Sequence, residues 1–176
     1  MKALIVDAGN TRTVAVAWPG AEALPTVEGD PLPLDELASW SRGGNPASVV
    51  ADHDGSIPVV LVSVVPEETS RLKAWMPGLV VVGSGSDLPF ETAVDDLEAV
   101  GADRLANVAA ARTAGLSSAL IVDAGTATTF DLLLDGCFQG GMIAPGMALA
   151  ARKLAEAASR LDPVPFGPAP WEVGAA

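Results

Sequence analysis

The chain has 176 residues, 49% of them hydrophobic, and a formal net charge of −12. That much apolar matter buries one good core or two small ones, and the lack of any basic cluster argues against nucleic acid or an anionic membrane as partner. One cysteine, Cys137, excludes an internal disulfide and a cysteine-based zinc site; no apolar run nears the ~20 residues of a membrane span, and Asp7 comes too early for a signal peptide, so a cytoplasmic protein is expected.

In chain order, a strand pair is expected at about residues 2–7 and 12–18. Residues 19–33, rich in Pro and Gly, read as loop. Leu34 to Trp40 reads as a short helix with an acidic first turn, ending near Gly43-Gly44. Pro58 to Ser63 is a β-branched run and a buried strand. Pro66-Glu67-Glu68 opens a helix, with Pro in the first turn and acids at the positive end, and it closes before Pro77-Gly78. Leu79 to Val82 is the next strand, stopped by Gly83-Ser84-Gly85-Ser86. This strand–helix–strand order is a βαβ unit. Gly101-Ala102-Asp103-Arg104 enters the longest helical pattern, about 102–114. Residues 118–143 carry three strands with short turns. Gly140 to Gly146 then leads into a helix at about 147–160, with Met147, Leu149, Ala150, Leu154, Ala157 and Leu161 apolar. Four prolines between Asp162 and Pro170 forbid regular structure there.

One unit occurs twice. Ala3-Leu4-Ile5-Val6-Asp7-Ala8-Gly9-Asn10-Thr11 returns as Ala119-Leu120-Ile121-Val122-Asp123-Ala124-Gly125-Thr126. Apolar runs follow both, Val14 to Trp18 and Phe130-Asp131-Leu132-Leu133-Leu134. A repeated strand–turn–strand predicts two related halves facing a cleft. The chemistry of each copy points to phosphate. Glycine lets backbone N–H groups approach an anion. Asn10, Thr11, Thr126, Thr128 and Thr129 add neutral donors. An Asp at a strand end repels phosphate but holds a hard cation, usually through water, which bridges to it. A plain hairpin turn accounts for one copy alone; two copies favour the phosphate reading.

Asp103 and Arg104 stand where a loop becomes a helix. A carboxylate is favourable there as a simple helix-start acid. A cation is not, so Arg104 suits an anionic substrate held bidentately. On that reading Asp103 is a general base and Arg104 a carboxylate clamp. His53, between Asp52 and Asp54, reads as a solvated loop residue, and Cys137 as packing.

Five segments together, Asp7 to Thr11, Ser63-Val64-Val65-Pro66, Gly101 to Arg104, Asp123 to Thr128 and Gly140 to Gly146, resemble the type III pantothenate kinases in the same order, from Met1 to about Leu161. The resemblance implies an α/β fold of two ribonuclease-H-like halves, as in actin-like ATPases and sugar kinases. The first would span 1–114 with the acceptor turn at its end; the second, 115–176, would be incomplete and end in the Pro-rich tail. It implies transfer of phosphate from ATP to pantothenate, the first step toward coenzyme A, by a homodimer using Mg2+ and a monovalent cation, K+ or NH4+. Asp7, Ala8, Gly9, Asn10, Thr11, Arg12, Thr13 and Val14 resemble the ATP-phosphate segment, with Asp7 holding Mg2+ through water, and Thr126 resembles an ATP contact. Gly101, Ala102, Asp103 and Arg104 resemble the pantothenate turn, with Asp103 the proton acceptor, and Asp123 the monovalent-cation ligand. The family pattern continues for several tens of residues beyond this sequence, with a pantothenate-contacting threonine and much of the adenosine pocket. It also expects a tyrosine near Val94 and a proline at Leu97. The alternative is a shortened homologue that binds nucleotide or a partner chain without turnover; a kinase of the same superfamily with another acid as acceptor fits the motif order less well.

Overall fold

The computed structural model describes residues 3–10, 12–18, 38–41, 58–76 and 78–158. They form a mixed α/β protein with two sheets, of five and four strands. The expected loop at 19–33, His53 and the Pro-rich tail lie outside the described residues.

The first sheet is built on the hairpin of β1 (Ala3–Ala8) and β2 (Arg12–Trp18), in which Ala8 stands across from Thr13. Leu4, Val6 and Ala8 alternate inward along β1, as a strand's two-residue period requires. β4 (Val59–Ser63) runs parallel to β1; helix α1 (Pro66–Trp75) and β5 (Val80–Val81), parallel to β4, complete the expected βαβ unit. Helix α1 starts with Pro66 in its first turn and Glu67 and Glu68 beside it, where the missing N–H costs nothing and negative charge is favoured. Its Leu72, followed by Met76, buries against Leu4, Val6 and Leu61. Each such side chain contributes about 1.5–3 kcal/mol.

One expected helix is a strand. Ala38–Ser41 is β3, antiparallel to β2, with Thr13 across from Trp40. Ala-Ser-Trp-Ser has little helix propensity beyond its alanine, and the open edge of β2 offers a row of hydrogen-bond partners. The Leu34 to Leu37 part of that expectation lies outside the described residues.

The second sheet has the order β6 (Glu91–Thr92), β9 (Cys137–Pro145), β8 (Ala127–Leu134), β7 (Ala119–Ala124). Strands β7 (Ala119–Ala124), β8 (Ala127–Leu134) and β9 (Cys137–Pro145) are the three expected strands, and they pair antiparallel. The turn from β8 to β9 is Asp135-Gly136, both left-handed (φ 49° and 82°), the tight hairpin that Asp-Gly favours. Strand β6 (Glu91–Thr92), not anticipated, lies parallel to β9. Helix α2 (Ala102–Thr113) covers one face of this sheet, packing Leu105 and Val108 on Leu133 and Phe138. Leu88, Phe90, Val94, Leu97 and Ile121 close around them, so residues on both sides of 114 share one core. Phe90 meets Phe138 edge to face, ring centroids 5.9 Å apart. Helix α2 also touches β4 and so joins the two sheets. Helix α3 (Met147–Ala157) follows β9, with Met147 and Leu154 exposed.

Candidate functional site

The parallel strands β4 and β5 end at a groove of about 510 Å³. Ser63, Val64 and Pro66 line one wall, Val82 and Gly83 another, and Val100, Gly101 and Ala102 the third. Carboxyl ends of parallel strands are where open α/β sheets bind ligands. Two of the five sequence segments, far apart in the chain, therefore meet here. The starts of α1 and α2 both border the groove and bring positive helix ends to it. The third wall is shaped by Asp96, whose Oδ1 accepts from the Glu98 and Ala99 N–H groups at 3.1 and 3.2 Å and caps a short 3-10 turn, Leu97–Ala99. Val94, where the resemblance expects a tyrosine, packs in the second core and brings no polar group.

Asp103 lies in the first turn of α2, half-buried, its Oδ1 accepting the Arg104 backbone N–H at 2.8 Å. Gly101 makes room for it: a Cβ there would stand 2.5 Å from the same oxygen.

Arg104 follows the groove-lining Gly101 and Ala102, and its side chain reaches the second sheet. Its Nε and Nη2 donate to Oδ1 of Asp131 on β8, at 2.9 and 2.5 Å. The side chains are 11% and 0% exposed. A cation at a helix start, puzzling in sequence, thus has a buried carboxylate opposite it. Sequence reasoning misses Asp131, although a signal exists: an acid inside the apolar run Phe130 to Leu134, at a position that alternation turns inward.

The first hairpin turn holds Asp7, exposed at the end of β1 and across from Val14, followed by Gly9 and Asn10. Thr11 lies outside the described residues, and Arg12 is described in its backbone only. Thr13 is fully buried, and its hydroxyl oxygen has no partner among the described residues. In the second hairpin Asp123 stands across from Thr129, so this turn is one residue tighter than the first. Asp123 Oδ2 accepts from Asn107 Nδ2 of α2 at 3.0 Å. The turn is braced from β9's far end: Gly146 N–H donates to the Thr126 carbonyl at 3.0 Å, and a Cβ on Gly146 would overlap the Gly125 carbonyl oxygen. Among the described residues no three metal-ligating side chains cluster. No helix of the described residues is long and apolar enough to cross a membrane.

The family model of type III pantothenate kinase matches residues 3–174. The chain belongs to the type III pantothenate kinase family. Curated relatives bearing that family name include one from Dehalococcoides mccartyi (strain ATCC BAA-2266 / KCTC 15142 / 195), 35% identical over 93% of this chain and 66% of its own length. Those from Jannaschia sp. (strain CCS1) and Ruegeria pomeroyi are 34% and 35% identical, over 92% of this chain and 65% of theirs. This family member thus spans slightly under two thirds of the relatives it matches. Among solved structures, one described as a conserved Baf family transcriptional activator from Campylobacter jejuni superposes with a TM-score of 0.60 at 19% identity, over 90% of this chain and 62% of that one, a likeness of fold.

Proposed function

We propose that the chain transfers the γ-phosphoryl group of ATP to the terminal hydroxyl of pantothenate, the first step toward coenzyme A. Membership of the family supports the reaction. The observation that carries the reading to particular residues is the meeting of Ser63–Pro66 with Gly101–Ala102 around one groove, beside Asp103.

In this reading pantothenate lies along the Gly101–Arg104 turn. Asp103 accepts the hydroxyl proton as that oxygen attacks the γ-phosphorus, and the bond to the ADP oxygen breaks in line. Arg104 takes the acceptor's carboxylate. The segment from Asp7 to Val14 and Thr126 hold the ATP phosphates. Asp7 would hold the Mg2+ that accompanies ATP, whose charge would stabilise the phosphates. Asp123, fixed by Asn107, would hold K+ or NH4+. The cations neutralise phosphate charge, which a chain of net charge −12 does not do by itself.

The repeated hairpin supports an organisation in two related actin-like halves. A second copy of the chain covers the apolar side of α3, where Met147 and Leu154 are exposed. The cytoplasm is the compartment that fits ATP and a single free cysteine.

A coupled assay with ATP, Mg2+, K+ and pantothenate tests the reading. The expected result is ADP formation that requires pantothenate and falls when K+ is replaced by Na+. Pantothenate binding without ADP formation supports a non-catalytic homologue instead.

A further inference from the structure

The contact between Arg104 and Asp131 is an unusual ion pair. A pair built for stability uses both carboxylate oxygens against both nitrogens of the fork. Here one oxygen, Oδ1, takes both Nε–H and Nη2–H, while Oδ2 is buried with no partner among the described residues. Leaving that oxygen unsatisfied works against stability. What the geometry gains is direction. Clasped along its Nε side, the guanidinium keeps its Nη1 and Nη2 end for a second carboxylate. Nη1 makes no hydrogen bond to any described residue and is not sealed as Asp131 Oδ2 is, in a side chain that keeps 11% of its surface exposed.

Two further features serve the same placement. The register of β8 on β9 shifts between Asp131 and Leu133, an irregularity of the kind that re-aims side chains near sites. Gly141 stands directly across from Asp131. A Cβ there would overlap the Phe130 carbonyl oxygen and approach Arg104 Nη2 to 2.7 Å and Asp131 Oδ1 to 2.9 Å. The glycine is the space into which the fork fits.

We propose that Asp131 is a positioning residue for acceptor recognition: it locks Arg104 side-on, with Gly141 as the clearance, so that the free end of the guanidinium meets the carboxylate of the acceptor. This rests on the pantothenate reading above and adds the residue that sets its specificity for an acid over a neutral analogue.

The test is equilibrium binding of pantothenate and of its neutral primary amide to the full chain and to Asp131→Asn, with melting curves of both proteins. Asp131→Asn should weaken pantothenate by roughly ten-fold to a hundred-fold, the weight of a charge-assisted hydrogen bond, and the amide by less than about two-fold. Equal weakening of both ligands, or none, overturns the positioning role while leaving the pantothenate reading intact. A wild-type chain that binds neither overturns the reading and this inference with it. Where Asp131→Asn does not fold, nitrogen-15 resonances of the Arg104 guanidinium in the wild-type chain decide. Pantothenate should shift Nη1 and leave Nε–H in place; loss of the protected Nε–H on binding would mean that Arg104 leaves Asp131, contrary to the proposal.

Discussion

Thr13 and Thr129 stand at the same step of the two sequence repeats, and each buries a hydroxyl oxygen that finds no partner among the described residues. Their cross-strand neighbours differ, because the second turn is one residue tighter: Thr13 faces Ala8, whereas Thr129 faces Asp123. Orphaned hydroxyls cost stability, and a methyl of the same shape does not. Thr13→Val and Thr129→Val should therefore be neutral or stabilising by up to about 1 kcal/mol. If Thr13 belongs to the ATP segment, Thr13→Val should also raise the KM for ATP. Denaturant melts and kinetics read the two effects separately, and a destabilised variant would mean that the hydroxyl is satisfied in solution.

Asp103→Asn should leave the melting temperature within a few degrees and lower turnover by roughly 10²–10⁴-fold, the contribution of a positioned base. Gly101→Ala tests the same carboxylate from outside, since its methyl would crowd Asp103 Oδ1. It should lower kcat as well. Full turnover in both variants would reduce Asp103 to a helix-start acid.

Arg104→Ala removes the ion-pair partner of a buried carboxylate. It should cost about 3–5 kcal/mol of stability, as breaking buried pairs does, besides weakening the acceptor more than ATP. Urea unfolding measures the first part. A loss below about 1 kcal/mol would show that Asp131 reaches water once Arg104 is gone.

Asn107 fixes Asp123 through one hydrogen bond. Asn107→Ala should raise the K+ concentration needed for half-maximal activity several-fold with little change in stability, because the pair is exposed. Activity titrated against KCl gives the answer. An unchanged K+ requirement would separate Asp123 from the cation.

Helix α3 leaves Leu154 58% exposed and Met147 63% exposed. Leu154→Glu should convert a dimer into a monomer in light scattering. Val122→Lys, on the outer face of the edge strand β7, should keep the dimer and only reduce aggregation. A wild-type monomer would dispose of the dimer altogether.

Strong periodicity makes most elements legible from the amino-acid sequence. Ala3 to Trp18, Val59 to Trp75 and Ala119 to Ala157 carry long two-residue or helical patterns, with Pro66 and Gly136 marking a start and a turn. Short elements are not legible in this way. Glu91–Thr92 is two residues held by another strand, and Ala38–Ser41 is a strand because β2 has an edge to fill. Among the candidate site residues, Asp103 and Asp123 stand out in the sequence through the glycines beside them. The partner of Arg104 does not announce itself, because it lies 27 residues away and only the packing of α2 on β8 brings the two together.

Strand β6 has a consequence for how the protein is made. Thr92 pairs with Phe138, so the segment leaving the ribosome first waits for helix α2 and two whole strands to follow. At about 5–20 residues per second this interval lasts some seconds. From their own emergence until then Leu105 and Val108 have no Phe138 to pack on, and the nascent chain shows a greasy helix to its surroundings. Synthesis rate and chaperone supply, besides final stability, should therefore bear on the yield of folded protein.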